Sequence, residues 1–113
     1  MEVIKDRDDF NVAIKKDYVL IDCTATWCTP CQKIKPKIYE LSKNEKYSEV
    51  NFYMYDIDDD DELSEEYIKV VPTFLLFRDG EMYKKIEGAD YKRIVKTLDE
   101  ILEESDDESD ESE

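Results

Sequence analysis

The stretch YVLIDCTA, from Tyr18 to Ala25, is the feature that most narrows the choice of fold. It is a nearly continuous run of apolar and β-branched residues of strand length, without the alternation of a half-exposed strand. Runs of this kind are typical of a central strand that is covered on both faces. A chain of 113 residues is long enough for one core and too short for two. The sequence therefore predicts a single domain in which other elements cover both sides of this strand.

Segments typical of strands and helices alternate along the rest of the chain. The further predicted strands are EVIK, VNFYMYDID, TFLLF and EMYKKIE, the last two flanking RDG, which is a strong hairpin signal. The predicted helices contain Phe10 to Ile14, Ile34 to Leu41, DELSEEYIK, and Tyr91 to Leu102. The order β-α-β-α-β-α-β-β-α predicts an α/β fold with a central mixed sheet and helices on both faces.

The end of the chain differs in character from everything before it. The final stretch, ESDDESDESE, contains no apolar residue, so ordering it would cost conformational entropy with nothing buried in return. We therefore predict a folded domain over residues 1–104 and a disordered acidic tail over residues 105–113.

The charge of the chain argues against two classes of partner. Its 31 acidic and 16 basic side chains give a formal net charge of −15, which repels nucleic acids and anionic membrane surfaces. No apolar stretch approaches the roughly 20 residues that span a bilayer. Residues 1–10 lack the basic and apolar pattern of a secretory signal. We predict a soluble, cytoplasmic monomer that binds neither nucleic acid nor membrane.

The stretch ATWCTPCQKIKP places Cys28 and Cys31 two residues apart, after a predicted strand and at the start of a predicted helix. Such a pair can be half of a metal site, a structural crosslink or a reactive dithiol. A zinc site needs four ligands, but the chain has no histidine and only one further cysteine, Cys23. A crosslink that closes so small a loop would constrain the unfolded chain little. We therefore predict no metal.

The surroundings of the pair favour the reactive dithiol. A cysteine at the start of a helix faces unpaired N–H groups and the positive end of the helix dipole, which favour the thiolate. Cys28, expected to be the exposed member, can then attack a disulfide of another protein. Cys31, one turn further on, lies within reach to resolve the mixed disulfide, and Pro30 fixes the backbone between the two. The pattern predicts thiol–disulfide exchange.

The predicted central strand contains two ionisable side chains, Asp22 and Cys23. Burial is expected to raise the pKa of Asp22 toward the value that a general base near neutral pH needs. The alternative is a carboxylate satisfied by a backbone N–H at the edge of the sheet. Cys23 is predicted to be a small core residue and not a regulatory thiol.

The stretches LIDCTATWCTPCQKIKP, VVPTFLLFRDGE and EGAD resemble the thioredoxin family, particularly its short eukaryotic type. The resemblance extends from about Val3 to Leu102 and implies a thioredoxin fold and disulfide reductase activity. It implies no bound cofactor beyond a redox-active Cys28–Cys31 disulfide, since NADPH would be used only by a separate thioredoxin reductase. The implied partners are that reductase and client proteins that contain disulfides.

The resemblance also assigns roles to individual positions. Cys28 matches the attacking cysteine, Cys31 the resolving one, and Asp22 a buried acid that transfers protons to and from the resolving thiol. The positions implied to contact clients are Trp27, Thr29, Pro30, Val71, Pro72, Thr73, Gly88 and Ala89. Of these, Trp27 is expected at the surface, with a core aromatic as the alternative. Pro72 is expected to follow a cis bond facing the cysteines; the alternative is a proline that merely starts a strand.

The sequence departs from the family pattern at two positions. Thr29 replaces a glycine that is usual after the first cysteine, and Met54 replaces a lysine that many members place near the buried acid. Asp22 is therefore expected to lack a cationic partner. Two other functions stay open from sequence: a binding module of the same fold without turnover, and an interaction protein that acts through its acidic tail.

Overall fold

The structure, a computed structural model, describes the backbone of residues 1–111 and the side chains of residues 1–103. The described part contains five strands and four helices, in the order predicted from the sequence. These elements are β1 Glu2–Ile4, α1 Arg7–Ala13, β2 Tyr18–Thr24, α2 Thr29–Lys43, β3 Asn51–Asp56, α3 Asp61–Tyr67, β4 Thr73–Arg78, β5 Glu81–Glu87 and α4 Tyr91–Glu111. The sequence patterns missed one short 3-10 helix at Glu45–Tyr47.

The sheet is mixed, with strand order β1-β3-β2-β4-β5. The strand that the sequence identified as central, β2, pairs in parallel with β3 and antiparallel with β4. The carboxyl ends of β2 and β3 therefore lie at the same end of the sheet as the beginning of β4. This end brings together the Cys28 segment, the acidic run after β3 and the residues before Thr73.

Two apolar cores cover the two faces of the sheet. Alternate residues of β2 belong to different cores, because successive side chains of a strand point to opposite faces. Leu20 packs with residues of α2 and α4, whereas Ile21 packs with residues of α1 and α3. The predicted α/β architecture with helices on both faces is confirmed.

The turn between β4 and β5 lies at the opposite end of the sheet. Asp79 and Gly80 both have positive φ values, 54° and 87°, as a type I′ hairpin turn requires. Tyr18, at the start of β2, is paired with Arg78, directly before this turn. The hairpin predicted from RDG is therefore confirmed, and it lies at the end of the sheet away from the cysteines.

The last helix continues to Glu111, past residue 105 where the sequence predicts the tail to begin. No glycine or proline follows Gly88, so no helix-breaking residue ends α4 earlier. Residues 112 and 113 and the side chains from 104 onward lie outside the described part of the chain. The division into a domain over residues 1–104 and a disordered tail over residues 105–113 stays a prediction.

None of the four described helices has the length and apolar character that a bilayer crossing requires.

Candidate active site

The two cysteines lie at the start of α2 and are joined by a disulfide, with 5.3 Å between their Cα atoms. Cys28 is the N-cap of the helix, and its Sγ accepts a hydrogen bond from the backbone N–H of Cys31 at 3.3 Å. Thr29 and Pro30 form the exposed first turn, where a proline is tolerated because its missing N–H would have no partner in the helix. The positive end of the α2 dipole is therefore directed at the Cys28 sulfur.

Both cysteines are largely covered. Cys28 is 5% exposed and Cys31 is 1% exposed. They form a small apolar cluster with Ala25, against which Ile57 and Val71 pack. Cys28 is the more exposed of the two cysteines, as expected, but it is buried and not at the surface. The reason is that Ile57, after β3, and Val71, before β4, pack around the disulfide. Only a small part of the Cys28 surface is therefore accessible to a partner.

Asp22 is a buried carboxylate on the same face of the sheet as α2. It is 1% exposed, and it follows Leu20 by two residues, which places its side chain on the α2 side. Its Oδ1 has no hydrogen-bond partner among the described residues. The alternative from the sequence was a carboxylate satisfied by a backbone N–H at the edge of the sheet. Asp22 does not lie at such an edge, because β2 is paired with a strand on each side.

Burial raises the pKa of Asp22 to about 7, and the positive charge of Lys35 on α2 acts in the opposite direction. The neighbours of Asp22 in the sheet are Met54 on β3 and Phe74 on β4, neither of which carries a charge. Lys35 and Met54 line the same surface pocket. Lys35 on α2 thus acts on the carboxyl of Asp22 through its charge, although no ion pair joins the two among the described side chains. The expectation that Asp22 lacks a cationic partner stays a prediction.

The loops before β4 and after β5 meet beside the disulfide. The bond between Val71 and Pro72 is cis, as the resemblance implies. The backbone N–H of Gly88 donates to the carbonyl of Pro72 at 2.8 Å, and Gly88 has a φ of 100°, which favours glycine. Thr73 is fully buried, and its hydroxyl donates to the carbonyl of Val70 at 2.6 Å. Of the implied client-contact residues, Pro72 and Thr73 are thus buried, and Val71 is half-buried.

Trp27 lies at the surface, with 65% of its area exposed. Its indole N–H donates to Oδ2 of Asp58 at 3.0 Å, and the N–H of Ile57 donates to the carbonyl of Thr24 at 2.9 Å. The surface position predicted for Trp27 is confirmed, and the core alternative is wrong. The sequence assigns no role to Ile57 and Asp58, which it places at the end of the predicted strand VNFYMYDID, whereas the observed strand ends at Asp56.

Cys23 lies in the core on the other face of the sheet, with α1 and α3. It is fully buried, and burial raises the pKa of its thiol well above the usual value. The prediction of a core residue is confirmed. Among the described side chains, no group of three or more cysteines or carboxylates is arranged to hold a metal ion.

Comparison with known proteins gives matches over nearly the whole described chain. The thioredoxin family model matches residues 2–100. Thioredoxin AMT13 of Alternaria alternata is 35% identical over 97 residues, which are 83% of this chain and 80% of the relative. Human thioredoxin is 41% identical over 85 residues, 74% of this chain and 79% of its own length. Mitochondrial thioredoxin 3 of Saccharomyces cerevisiae, in its oxidized form, is 30% identical and superimposes with a TM-score of 0.83 over 88% of this chain and 94% of its own.

Proposed function

This chain belongs to the thioredoxin family and is a thiol–disulfide oxidoreductase, and we propose that it reduces disulfides of client proteins through Cys28 and Cys31. The observation that carries this proposal is the Cys28–Cys31 disulfide at the start of α2. A reversible bond at a helix N-terminus is suited to exchange, since the reduced form is stabilised there as a thiolate. A binding module without turnover is not favoured, because both cysteines are present and paired.

The first step is attack by Cys28. In the reduced protein, the Cys28 thiolate attacks one sulfur of the client disulfide and forms a mixed disulfide with it. The other client sulfur leaves as a thiolate and takes a proton from water. The hydrogen bond from the Cys31 N–H and the positive end of α2 support this role, because both interactions stabilise negative charge on the Cys28 sulfur.

The second step releases the client. We propose that the Cys31 thiol gives its proton to the carboxylate of Asp22 and that the resulting thiolate attacks the Cys28 sulfur. The mixed disulfide breaks, the client sulfur leaves and is protonated, and the Cys28–Cys31 disulfide forms. Two electrons have then passed from the dithiol to the client. A pKa near 7 supports Asp22 as the proton acceptor, because such a group takes up and releases a proton at neutral pH.

Members of this family act on disulfide substrates and are reduced by thioredoxin reductase. We propose that a reductase of this kind, using NADPH, returns the Cys28–Cys31 disulfide to the dithiol. We place the protein in the cytoplasm, as a monomer. The unpaired, buried Cys23 and the odd cysteine count support a reducing compartment.

We propose that clients bind across the residues around the cis bond. Trp27, Thr29, Pro30 and Ala89 are exposed and Val71 is half-buried, so they offer contact area beside Cys28. An extended client segment can pair with exposed backbone there, as peptides do at sheet edges. Two hydrogen bonds fix the segments that carry this surface: the Gly88 N–H donates to the carbonyl of Pro72 and joins the two loops, and the Thr73 hydroxyl donates to the carbonyl of Val70.

Reduction of insulin tests the activity directly. With dithiothreitol as the electron source, the protein is expected to accelerate precipitation of the insulin B chain well beyond the rate with dithiothreitol alone. The measurement is turbidity against time at neutral pH. A folded protein that gives no acceleration would contradict the proposed function.

We expect removal of the acidic tail to leave the domain intact. A chain that ends at Leu102 keeps every buried apolar side chain of α4, the last of which is Ile101. Its melting temperature and insulin-reduction rate are therefore expected to stay nearly unchanged, while salt-sensitive binding to basic proteins is lost. Thermal unfolding and the turbidity assay check this expectation. A collapse of activity would mean that the tail acts at the active site.

A further inference from the structure

One side of the disulfide is bordered by the acidic run that follows β3. The hydrogen bond from Trp27 to Asp58 holds this run against the exposed indole ring. Asp59 and Asp61 lie close to it in the chain, and both are exposed. Neither forms an ion pair within residues 1–103. The Trp27 side of the site therefore presents carboxylates that no basic side chain of the described chain neutralises.

The opposite side of the disulfide is a shallow cleft of about 260 Å³ between α2 and the beginning of α4. Thr29 and Pro30, on α2, line one part of the cleft, and Ala89, which follows β5, lines another part. The charged side chains in its lining are Lys33 and Lys37, which lie one turn apart on α2 and are exposed. No described carboxylate lines this cleft, and neither lysine forms an ion pair within the described side chains.

The strand order fixes these two sides relative to Cys28. The acidic run follows β3 and Ala89 follows β5, and these strands lie on opposite sides of β2 in the sheet. Trp27, on the acidic side, is 65% exposed and adds apolar surface there. The Cys28 segment thus lies between an acidic border and a basic border.

We call the acidic border (Asp58, Asp59 and Asp61) and the basic border (Lys33 and Lys37) together the bipolar rim. We propose that this bipolar rim selects clients in which the reactive cysteine lies between a basic and an acidic side chain. A client lysine or arginine would lie near Asp59 on the Trp27 side, and a client aspartate or glutamate would lie in the cleft near Lys33. This proposal rests on the proposed function and adds a substrate class to it. It also differs from attraction by net charge, because a chain with a charge of −15 would by itself favour wholly basic clients.

Five synthetic peptides test the proposal, each with one cysteine joined by a disulfide to thionitrobenzoate. Two peptides carry lysines on one side of the cysteine and glutamates on the other, in the two possible orders. The other three carry lysines on both sides, glutamates on both sides, or glutamines on both sides. The reduced protein is mixed with each peptide, and release of the yellow thiolate gives the second-order rate constant.

One of the two bipolar peptides is expected to react about two- to fivefold faster than the all-lysine peptide, the size of effect that exposed ion pairs produce. This advantage is expected to disappear near 1 M NaCl, where the screening length falls to about 3 Å. An all-lysine peptide that reacts fastest would overturn the proposal, since net charge alone would then explain the preference.

Matched variants separate the rim from the charge of the whole chain. Lys33→Glu is expected to make the all-lysine peptide the fastest, and Asp59→Lys is expected to remove the advantage of the bipolar peptide. Lys15→Glu and Glu49→Lys make the same changes of net charge at the opposite end of the sheet, before β2 and β3, and are expected to leave the ranking unchanged. Controls that alter the ranking as much as the site variants would overturn the proposal.

The glutamine peptide keeps this test separate from the test of the activity. If the wild-type protein reduces no peptide, the proposed function itself fails. If it reduces all five at similar rates, the function stands and only the bipolar rim is wrong.

Discussion

Replacing Cys28 by serine is expected to abolish disulfide reduction, while replacing Cys31 by serine traps the protein in mixed disulfides with its clients. A serine hydroxyl is far too weak an acid to supply an anionic nucleophile at neutral pH, so Cys28→Ser cannot begin the exchange. Cys31→Ser still performs the first attack but cannot release the client. The turbidity assay measures the first loss, and non-reducing electrophoresis of Cys31→Ser incubated with oxidised insulin detects the trapped adduct.

Cys23→Ala is the matched control for these two variants. Cys23 lies in the core on the face of the sheet away from α2, so its removal is expected to lower stability modestly and to leave reduction intact. Faster alkylation of Cys31 than of Cys28 in the reduced native protein would contradict the assignment of the two roles.

Replacing Asp22 by asparagine is expected to stabilise the fold above neutral pH and to slow client release. Because burial raises the pKa of Asp22 to about 7, the folded state binds its proton more tightly than the unfolded state does. Stability from this group is therefore greatest below the unfolded pKa, falls as pH rises from about 4 to about 7, and is constant above that range. A difference of about three pKa units corresponds to roughly 4 kcal/mol of lost stability.

The asparagine side chain of the Asp22→Asn variant would remove that penalty but would itself be a buried amide with incomplete hydrogen bonding, at a cost of about 1–3 kcal/mol. We therefore expect a net gain of roughly 1–3 kcal/mol at pH 8 and a loss at pH 4, measured by denaturant unfolding at each pH. Release of client from the mixed disulfide is expected to slow by about tenfold or more, since an amide cannot accept the Cys31 proton. Lower stability at pH 8 together with unchanged release would contradict both roles.

Lys35→Met provides an independent check on the same carboxyl. Removing the positive charge is expected to raise the pKa of Asp22 in the folded state further, so the upper limit of the pH range over which stability falls moves upward while the lower limit stays at the unfolded pKa. Lys33→Met removes the same charge from the same helix two residues away. The charge of Lys35 lowers the pKa of Asp22, and Lys33 does not contribute to that shift. Lys33→Met is therefore the control and is expected to leave the pH range unchanged.

The order of strands and helices was predictable because each element carries a local pattern: apolar residues at helical spacing in the helices, and apolar runs of strand length in the strands. The apolar run of β2 indicated a strand buried on both faces, and this also indicated the direction of the Asp22 pKa shift. The positions of Trp27 and of the cis bond before Pro72 followed from the resemblance to a family, and no local pattern in the sequence indicates them.

What the sequence did not indicate depends on contacts between segments that are distant in the chain. Ile57 covers the disulfide because β3 lies next to β2, and a strand order of this kind has no periodic signal in the sequence. The same holds for Lys35, whose position relative to Asp22 depends on how α2 packs over the sheet. The burial of Cys28 follows from these contacts, which is why the cysteine motif alone predicts this residue at the surface.

The separation of the two ends of the sheet has a practical consequence for handling the protein. The disulfide lies at one end and the Asp79–Gly80 turn lies at the other, with the length of β4 between them. A linker, dye or solid support attached at that turn would leave the reactive face directed outward. The turn is therefore the natural attachment point for immobilising the protein as a column or electrode reagent that captures disulfide-containing proteins.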